Sequence, residues 1–286
     1  YVAADGTRYR VNLHRYLGRL GAALRPIKSS VPTMEDLGLP APILENWIAR
    51  TSGMVLVTGA TGTGKSTTVA AALQWINENH SRHVVTIEDP IEYIFSDQLS
   101  IFTQREVGAD TESFQQGLRS SLRQSPDVIF LGEIRDAETA ATALQAAETG
   151  HLVVSTLHSA DIGDTLERIT GLFPATERDS GLFILSQQLI GVISQQLLPG
   201  ENDDLVLAVE HFQNEGATRN WIRSREFKQL ADFSARGDSP NNAGFLASIV
   251  ASVKAGRVSR EVGERYCGNA VEYQRALRGI SGGSVS

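Results

Sequence analysis

The chain has 286 residues, 41% of them hydrophobic, which is enough apolar material for one large folded domain or a domain with part of another and excludes an intrinsically disordered chain. Its formal net charge of −7 argues against broad electrostatic binding to nucleic acid. A single cysteine, Cys267, excludes an internal disulfide and a cysteine-based zinc site and fits a reducing cytoplasm.

Residues 1–27 alternate short polar and apolar stretches ("RYRVNLH", "AALRPI") and are rich in arginine, a pattern that predicts the last strands of a domain whose beginning is missing; Tyr1, in place of a start methionine, carries the same expectation. Residues 28–42, "KSSVPTMEDLGLPAP", bring turn formers and three prolines together and predict a linker. From residue 43 a helical stretch, "ILENWIARTSG", leads into "MVLVTG", and further β-rich runs recur at His83–Asp89, Asp127–Glu133 and His151–His158, separated by helix-like segments such as "DAETAATALQAAETG". Strands that are apolar throughout and separated by helices predict an α/β fold with a mostly parallel sheet covered on both faces. The region from about 180 to 286 reads as mostly helical, with one strand candidate at "DLVLAVEHF". No apolar stretch reaches the roughly 18 to 20 residues of a membrane span, and no signal peptide is visible.

The segment "GATGTGKSTT" satisfies G-x-x-x-x-G-K-[ST] with Gly59, Gly64, Lys65 and Ser66, between a buried strand and a helix. In such a loop, Gly59, Thr61, Gly62, Thr63 and Gly64 turn backbone N–H groups inward, Lys65 reaches the β and γ oxygens, Ser66 ligates Mg²⁺, and Thr67 adds a second hydroxyl. The pattern predicts a nucleoside triphosphate site and leaves ATP and GTP open. Glu133 ends the apolar run "DVIFLGE", at the strand end where ligands collect in this fold class, and is the candidate base. Glu88, Asp89 and Glu92 in "TIEDPIE" form a second acidic cluster, suited to holding Mg²⁺ through water or to orienting a nucleophile; the alternative is a solvated turn fixed by Pro90. His151 and His158 bracket "LVVSTL"; one histidine at a strand end is more often structural, but two around one strand favour function, with His158 placed to contact a γ-phosphate.

These segments occur in the order of the secretion-type ATPases, and the chain is similar to the PilT-like retraction ATPases of type IV pili: "GATGTGKSTT" as the phosphate loop, "TIEDPIEY" as the acidic box, "LRSSLRQSPDVIFLGEIRD" as the Walker B region and "AAETGHLVVSTLHSAD" as the histidine box. "QREVG", "FPATERD" and "ATRNWI" extend the likeness, the last with Thr218 where the retraction branch has isoleucine. The resemblance implies a RecA-like P-loop core spanning 43–286, the end of an N-terminal PAS-like domain in residues 1–27, and a homohexameric ring. It also implies an ATP- and Mg²⁺-dependent motor at the cytoplasmic side of the inner membrane, driving pilus retraction and twitching motility against a pilus platform protein, with an accessory paralogous ATPase as a further partner and no nucleic acid. By the same mapping Glu133 activates water, Glu88 and Glu92 support metal and nucleophile, His151 and His158 couple the γ-phosphate to domain movement, and Arg10 and Arg25 approach a neighbouring subunit's nucleotide. The four-cysteine insertion of pilus-extension and type II secretion ATPases is missing, which favours the retraction branch, while DotB- and TraJ-like ATPases of type IVB secretion and conjugation remain alternatives. From other classes, a GTPase switch lacks an Asn-Lys-x-Asp motif, a small-molecule kinase lacks an arginine-rich lid, and an ATP-gated assembly module would bind without hydrolysing.

Overall fold

The computed structural model describes residues 1–4, 7–27, 30–237 and 239–279. Lys28 and Ser29 of the expected linker, and Asp238 and residues 280–286 of the expected helical region, lie outside the described residues.

The arginine-rich opening forms an antiparallel hairpin of β1 (Tyr9–Tyr16) and β2 (Arg19–Pro26), turning at Leu17 and Gly18, both at positive φ as a two-residue hairpin turn requires. Directly opposed residues of an antiparallel pair present their side chains on one face. The register pairs Arg10 with Arg25, so both guanidinium groups leave the hairpin on the same side. Leu13, Leu20 and Leu24 stay largely exposed.

Pro40 and Pro42 frame the start of α1 (Ala41–Ile48), where a proline's missing N–H costs nothing. There follow β3 (Gly53–Gly59), α2 (Lys65–Asn79), β4 (His83–Glu88), β5 (Ile101–Glu106), α3 (Phe114–Ser121), β6 (Val128–Leu131), α4 (Ala137–Glu148), β7 (Leu152–Leu157), α5 (Ile162–Leu172), α6 (Arg178–Gln188), β8 (Leu189–Pro199) and β9 (Leu205–Gln213). Ser113, Asp136 and Asp161 cap α3, α4 and α5 by accepting a hydrogen bond from a first-turn N–H, which stops the preceding loops and starts the helices at those positions.

The main sheet has seven strands in the order β5-β4-β6-β7-β3-β8-β9, parallel except for β9. The continuous apolar character of β3 follows from its central place: Met54 and Leu56 face one core with α3 to α6, while Val55 and Val57 face a second with α1 and α2. Beyond β9, the helices α7 (Thr218–Ser224), α8 (Phe227–Arg236), α9 (Phe245–Lys254), α10 (Arg260–Tyr266) and α11 (Ala270–Leu277) complete the described chain. The last three close a small third core around Leu198, Val206, Ile249 and Tyr273.

The expected strands and the parallel sheet are present, but the region beyond 180 is less helical than its residues suggest. "LIGVISQQLLP" is β8, an internal strand between β3 and β9. Leu and Gln carry good helix propensity, so this run reads as a continuation of α6, yet the backbone turns extended at Leu189. Tertiary burial decides: the run lies flush against β3, and Gly191 admits the Trp47 ring so closely that an added Cβ would sit 2.5 Å from indole carbons. The edge strand β5 was also unannounced by its polar "TQRE".

Gly191→Ala should therefore overpack this contact at a cost of about 1–3 kcal/mol, lowering the thermal midpoint by roughly 3 to 10 °C. An unchanged midpoint would contradict the close approach of Trp47 to β8.

Candidate active site

The loop from Gly59 to Lys65 leaves the carboxyl end of β3 and enters α2, with Gly59, Gly62 and Gly64 at φ of 147°, 84° and 89°. These left-handed positions are where a side chain is strained, and at Gly59 there is also no room, since a Cβ would lie 2.5 Å from the Gln195 carbonyl oxygen. The conformation leaves loop N–H groups and the α2 N-terminus facing one cavity of about 470 Å³. Lys65 is buried within it, its Nζ donating to the carbonyl oxygens of Gly59 (2.8 Å) and Ala60 (3.0 Å) and lying 3.4 Å from His158 Nδ1. Burial lowers the Lys65 pKa, and the charges of Glu133 and Glu92 pull it back up. An ammonium group held by neutral oxygens at the rim of a cavity is suited to exchange those carbonyls for phosphate oxygens.

The other loop side chains divide their work. Ser66 and Thr61 line the cavity, whereas Thr63 Oγ1 donates to the Ala60 carbonyl (2.9 Å) and braces the turn. Thr67 Oγ1 meets the Tyr93 hydroxyl at 3.1 Å, tying α2 to the acidic segment after β4.

Strand order then sets which carboxylates reach the loop. Glu133, just past β6, places Oε2 3.5 Å from His158 Nε2, and its Oε1 accepts a hydrogen bond from Arg135. His158, just past β7, spans the gap, with Nδ1 also 3.5 Å from Thr61 Oγ1. Burial lowers the His158 pKa, the Lys65 charge lowers it further, and Glu133 opposes both. At neutral pH the ring is therefore neutral, and its approach to Glu133 is a polar contact between a neutral imidazole and a carboxylate rather than an ion pair. Glu88, at the end of β4, is buried and accepts from Thr86 Oγ1 (2.7 Å) and Gln104 Nε2 (3.4 Å). Burial pushes its carboxyl up to about 7, against the two side-chain hydrogen bonds and with a further push from Glu92. Glu92 is exposed and lines the same cavity.

Arg10 and Arg25, expected to approach a neighbouring subunit's nucleotide, line the cavity of this chain, opposite one another in the hairpin register. One expectation needs correction: His151, expected to couple the γ-phosphate to domain movement, does not reach the cavity. It precedes β7 where His158 follows it, so the two lie at opposite edges of the sheet, separated by roughly 20 Å of strand. Its Nδ1 lies 3.0 Å from the Ala146 carbonyl and 3.4 Å from Thr149 Oγ1, and it fixes the turn from α4 into β7. Sequence reasoning also passed over three contributors: Arg135, which holds Glu133; Arg168, whose Nη1 donates to the His158 carbonyl (2.7 Å); and Gln195, whose Nε2 donates to Thr68 Oγ1 (2.6 Å) beneath the loop. Arg135 sat in plain view inside "GEIRD", whereas Gln195 was hidden by the misread β8.

A buried lysine in a glycine loop between a parallel strand and a helix, with a carboxylate delivered to the same cavity two strands away, defines a P-loop nucleotide-binding protein. Residues 23–229 match the family described as type II/IV secretion system protein, and the chain belongs to that family. It is 41% identical over 254 residues to the "Type IV pilus retractation ATPase PilT" of Pseudomonas aeruginosa, covering 89% of this chain and 74% of that protein. The crystal structure of "the Pilus Retraction Motor PilT and Bound ADP" superposes with a TM-score of 0.89 at 41% identity, over 96% of this chain and 78% of that one. The ATPase DotB of Legionella pneumophila superposes with a TM-score of 0.82 at 28% identity, over 92% of this chain and 73% of that one.

The raised Glu88 pKa makes the stability of the fold depend on pH. The folded state keeps the Glu88 proton up to about pH 7, while the unfolded chain releases it near 4.5. This contribution to stability is full below 4.5, is lost as pH rises to about 7, and totals on the order of 3 kcal/mol. Glu88→Gln should remove it, so that the stability difference between variant and parent grows in the variant's favour from pH 5 to pH 7.5 in denaturant titrations. A difference constant across that range would contradict the burial of this carboxyl.

Proposed function

We propose that the chain is the motor ATPase of a type IV pilus retraction system, hydrolysing ATP to ADP and phosphate to drive twitching motility. The observation that carries the reading is the P-loop cavity itself, with Lys65, His158 and Glu133 in line across three strands of a chain whose relative and structural neighbour at 41% identity is the pilus retraction ATPase PilT.

In this reading Lys65, Ser66, Thr67 and the N–H groups from Gly59 to Gly64 hold the triphosphate. Glu133 takes a proton from water as its oxygen attacks the γ-phosphorus and the bond to the β-phosphate oxygen breaks, and His158 meets the γ-phosphate. Arg10 and Arg25 bring positive charge from the hairpin to the same phosphates and so tie the N-terminal segment to nucleotide state. Ser66, with Glu88 and Glu92 acting through water, would hold Mg²⁺. Among the described residues no cluster of three His, Cys, Asp or Glu is built to bind a cation, so the fit depends on the nucleotide's own phosphates. Bound there, Mg²⁺ neutralises charge on the phosphates.

We assign residues 1–27 to the end of an N-terminal PAS-like domain, a reading supported by the exposed Leu13, Leu20 and Leu24 on a two-stranded sheet that is marginal alone. Residues 43–286 then form the ATPase domain, the ring is a homohexamer, and its partners are an inner-membrane pilus platform protein and an accessory paralogous ATPase. A place in the cytoplasm at the inner membrane's surface fits the finding that, among the described residues, no helix is long and apolar enough to cross a membrane. A DotB-like role in type IVB secretion is the second reading, supported by the fold shared with DotB at 28% identity.

Purified protein should release phosphate from ATP in the presence of Mg²⁺, and Glu133→Gln should lower kcat by a factor of about 10² to 10⁴. Normal turnover in the variant would sink the assignment of the base. Deleting the gene should leave cells hyperpiliated and non-motile; a defect in effector transfer with normal pili would favour the DotB-like reading.

A further inference from the structure

Beneath the phosphate loop runs a row of four buried hydroxyl groups that the proposed chemistry does not use. Ser159 Oγ lies 2.7 Å from Thr165 Oγ1, Thr165 Oγ1 is 3.2 Å from Thr58 Oγ1, and Thr58 Oγ1 is 2.8 Å from Ser194 Oγ. All four residues are at most 3% exposed. Ser194 stands opposite Glu210 in the β8–β9 register and hydrogen-bonds its carboxylate, and the carboxylate Oε1 also accepts the N–H of Ile162 at 2.6 Å. The row therefore starts beside His158, passes Thr58 immediately before the phosphate loop, and ends on Glu210.

Each hydroxyl has one proton to give, so the buried row needs acceptors that want no donor of their own: Thr165 Oγ1 finds one in the Asp161 carbonyl at 2.7 Å, and the hydroxyls of Thr58 and Ser194 need a second. A carboxylate is that acceptor, and Glu210 is the one carboxylate among the described residues that touches the row. Its second bond, to Ile162 N–H, grips the start of α5. The turn that carries His158 is held from the other side by Thr165 Oγ1, which donates to the Asp161 carbonyl at 2.7 Å, and by Arg168, which grips the His158 carbonyl. We infer that Glu210 is a positioning residue for ATP hydrolysis: as the acceptor at the Ser194 end of the hydroxyl row and of the Ile162 N–H, it locks the His158 turn against the base of the phosphate loop. Burial raises the Glu210 carboxyl to about 7, with Asp161 adding to the rise and Ile162 N–H and Ser194 opposing it. Ser194 consequently meets a charged acceptor in mildly alkaline solution.

The inference rests on the ATPase reading, and the test separates the two. Steady-state ATP hydrolysis at pH 8 is compared for wild type, Glu210→Ala, Glu210→Gln and Thr165→Val, with folding checked by thermal melting. Glu210→Ala and Thr165→Val should each lower kcat about tenfold while KM for ATP stays within twofold, because Lys65 and the glycine loop are untouched. Glu210→Gln, which keeps an acceptor for Ile162 N–H, should recover much of the loss. Wild-type kcat in a folded Glu210→Ala, or kcat and KM deteriorating together in both disruptive variants with no recovery in Glu210→Gln, would overturn the positioning role. If Glu210→Ala does not fold, Thr165→Val decides by the same criterion. A wild-type protein without ATPase activity would overturn the functional reading instead.

Discussion

One buried ammonium organises this molecule. Lys65 has left water, and its charge is compensated by two carbonyl oxygens of the loop from which it emerges and by carboxylates reached across the sheet. Those carbonyls point at Nζ because Gly59, Gly62 and Gly64 take left-handed backbone conformations, and the loop keeps that shape because it is anchored at a central strand packed on both faces. Parallel strands all end on the same edge, so the residues that follow them are delivered to the lysine in the order in which the strands lie. From β3 outward through β7, β6 and β4, the strand order places Lys65, His158, Glu133 and Glu88 in a row. The site is a direct consequence of topology, with neighbouring members about 5 Å apart per strand step.

Charge is distributed along that row with a purpose that burial makes visible. His158 stays neutral between a cation and an anion, so it presents a hydrogen-bonding ring without adding charge. Glu88 is driven towards its protonated form and Glu92 remains at the exposed rim, which leaves Glu133 as the carboxylate nearest the loop, steadied by Arg135 and His158. The hairpin contributes Arg10 and Arg25, one from each strand, to the lining of the same cavity. A polyanionic ligand in this cavity would find Lys65, both guanidinium groups and the loop N–H groups in its lining.

Much of this was legible in the residues because its signals are local. The phosphate loop announces itself through a strand, three glycines and a helix start within a dozen positions, and Glu133 and His158 sit directly after apolar runs whose ends are easy to see. What was misread depends on contacts between distant segments. β8 looks helical by propensity, and only its burial between β3 and β9, with Trp47 lodged against Gly191, makes it a strand. His151 looks equivalent to His158 when both flank one strand, but a strand has two ends and a parallel sheet uses one of them. The hairpin arginines stand in plain sight in residues 1–27, yet their pairing across β1 and β2 and their place at the cavity are not written in any local pattern.

The central claim is that Lys65 trades its backbone carbonyls for the phosphates of ATP. Calorimetric titration of ATP into the wild-type protein and Lys65→Ala tests it most directly. The account predicts saturable binding by the wild type and its loss, or a weakening of at least a hundredfold, in a variant that remains folded. Equal affinity in the two proteins would contradict it.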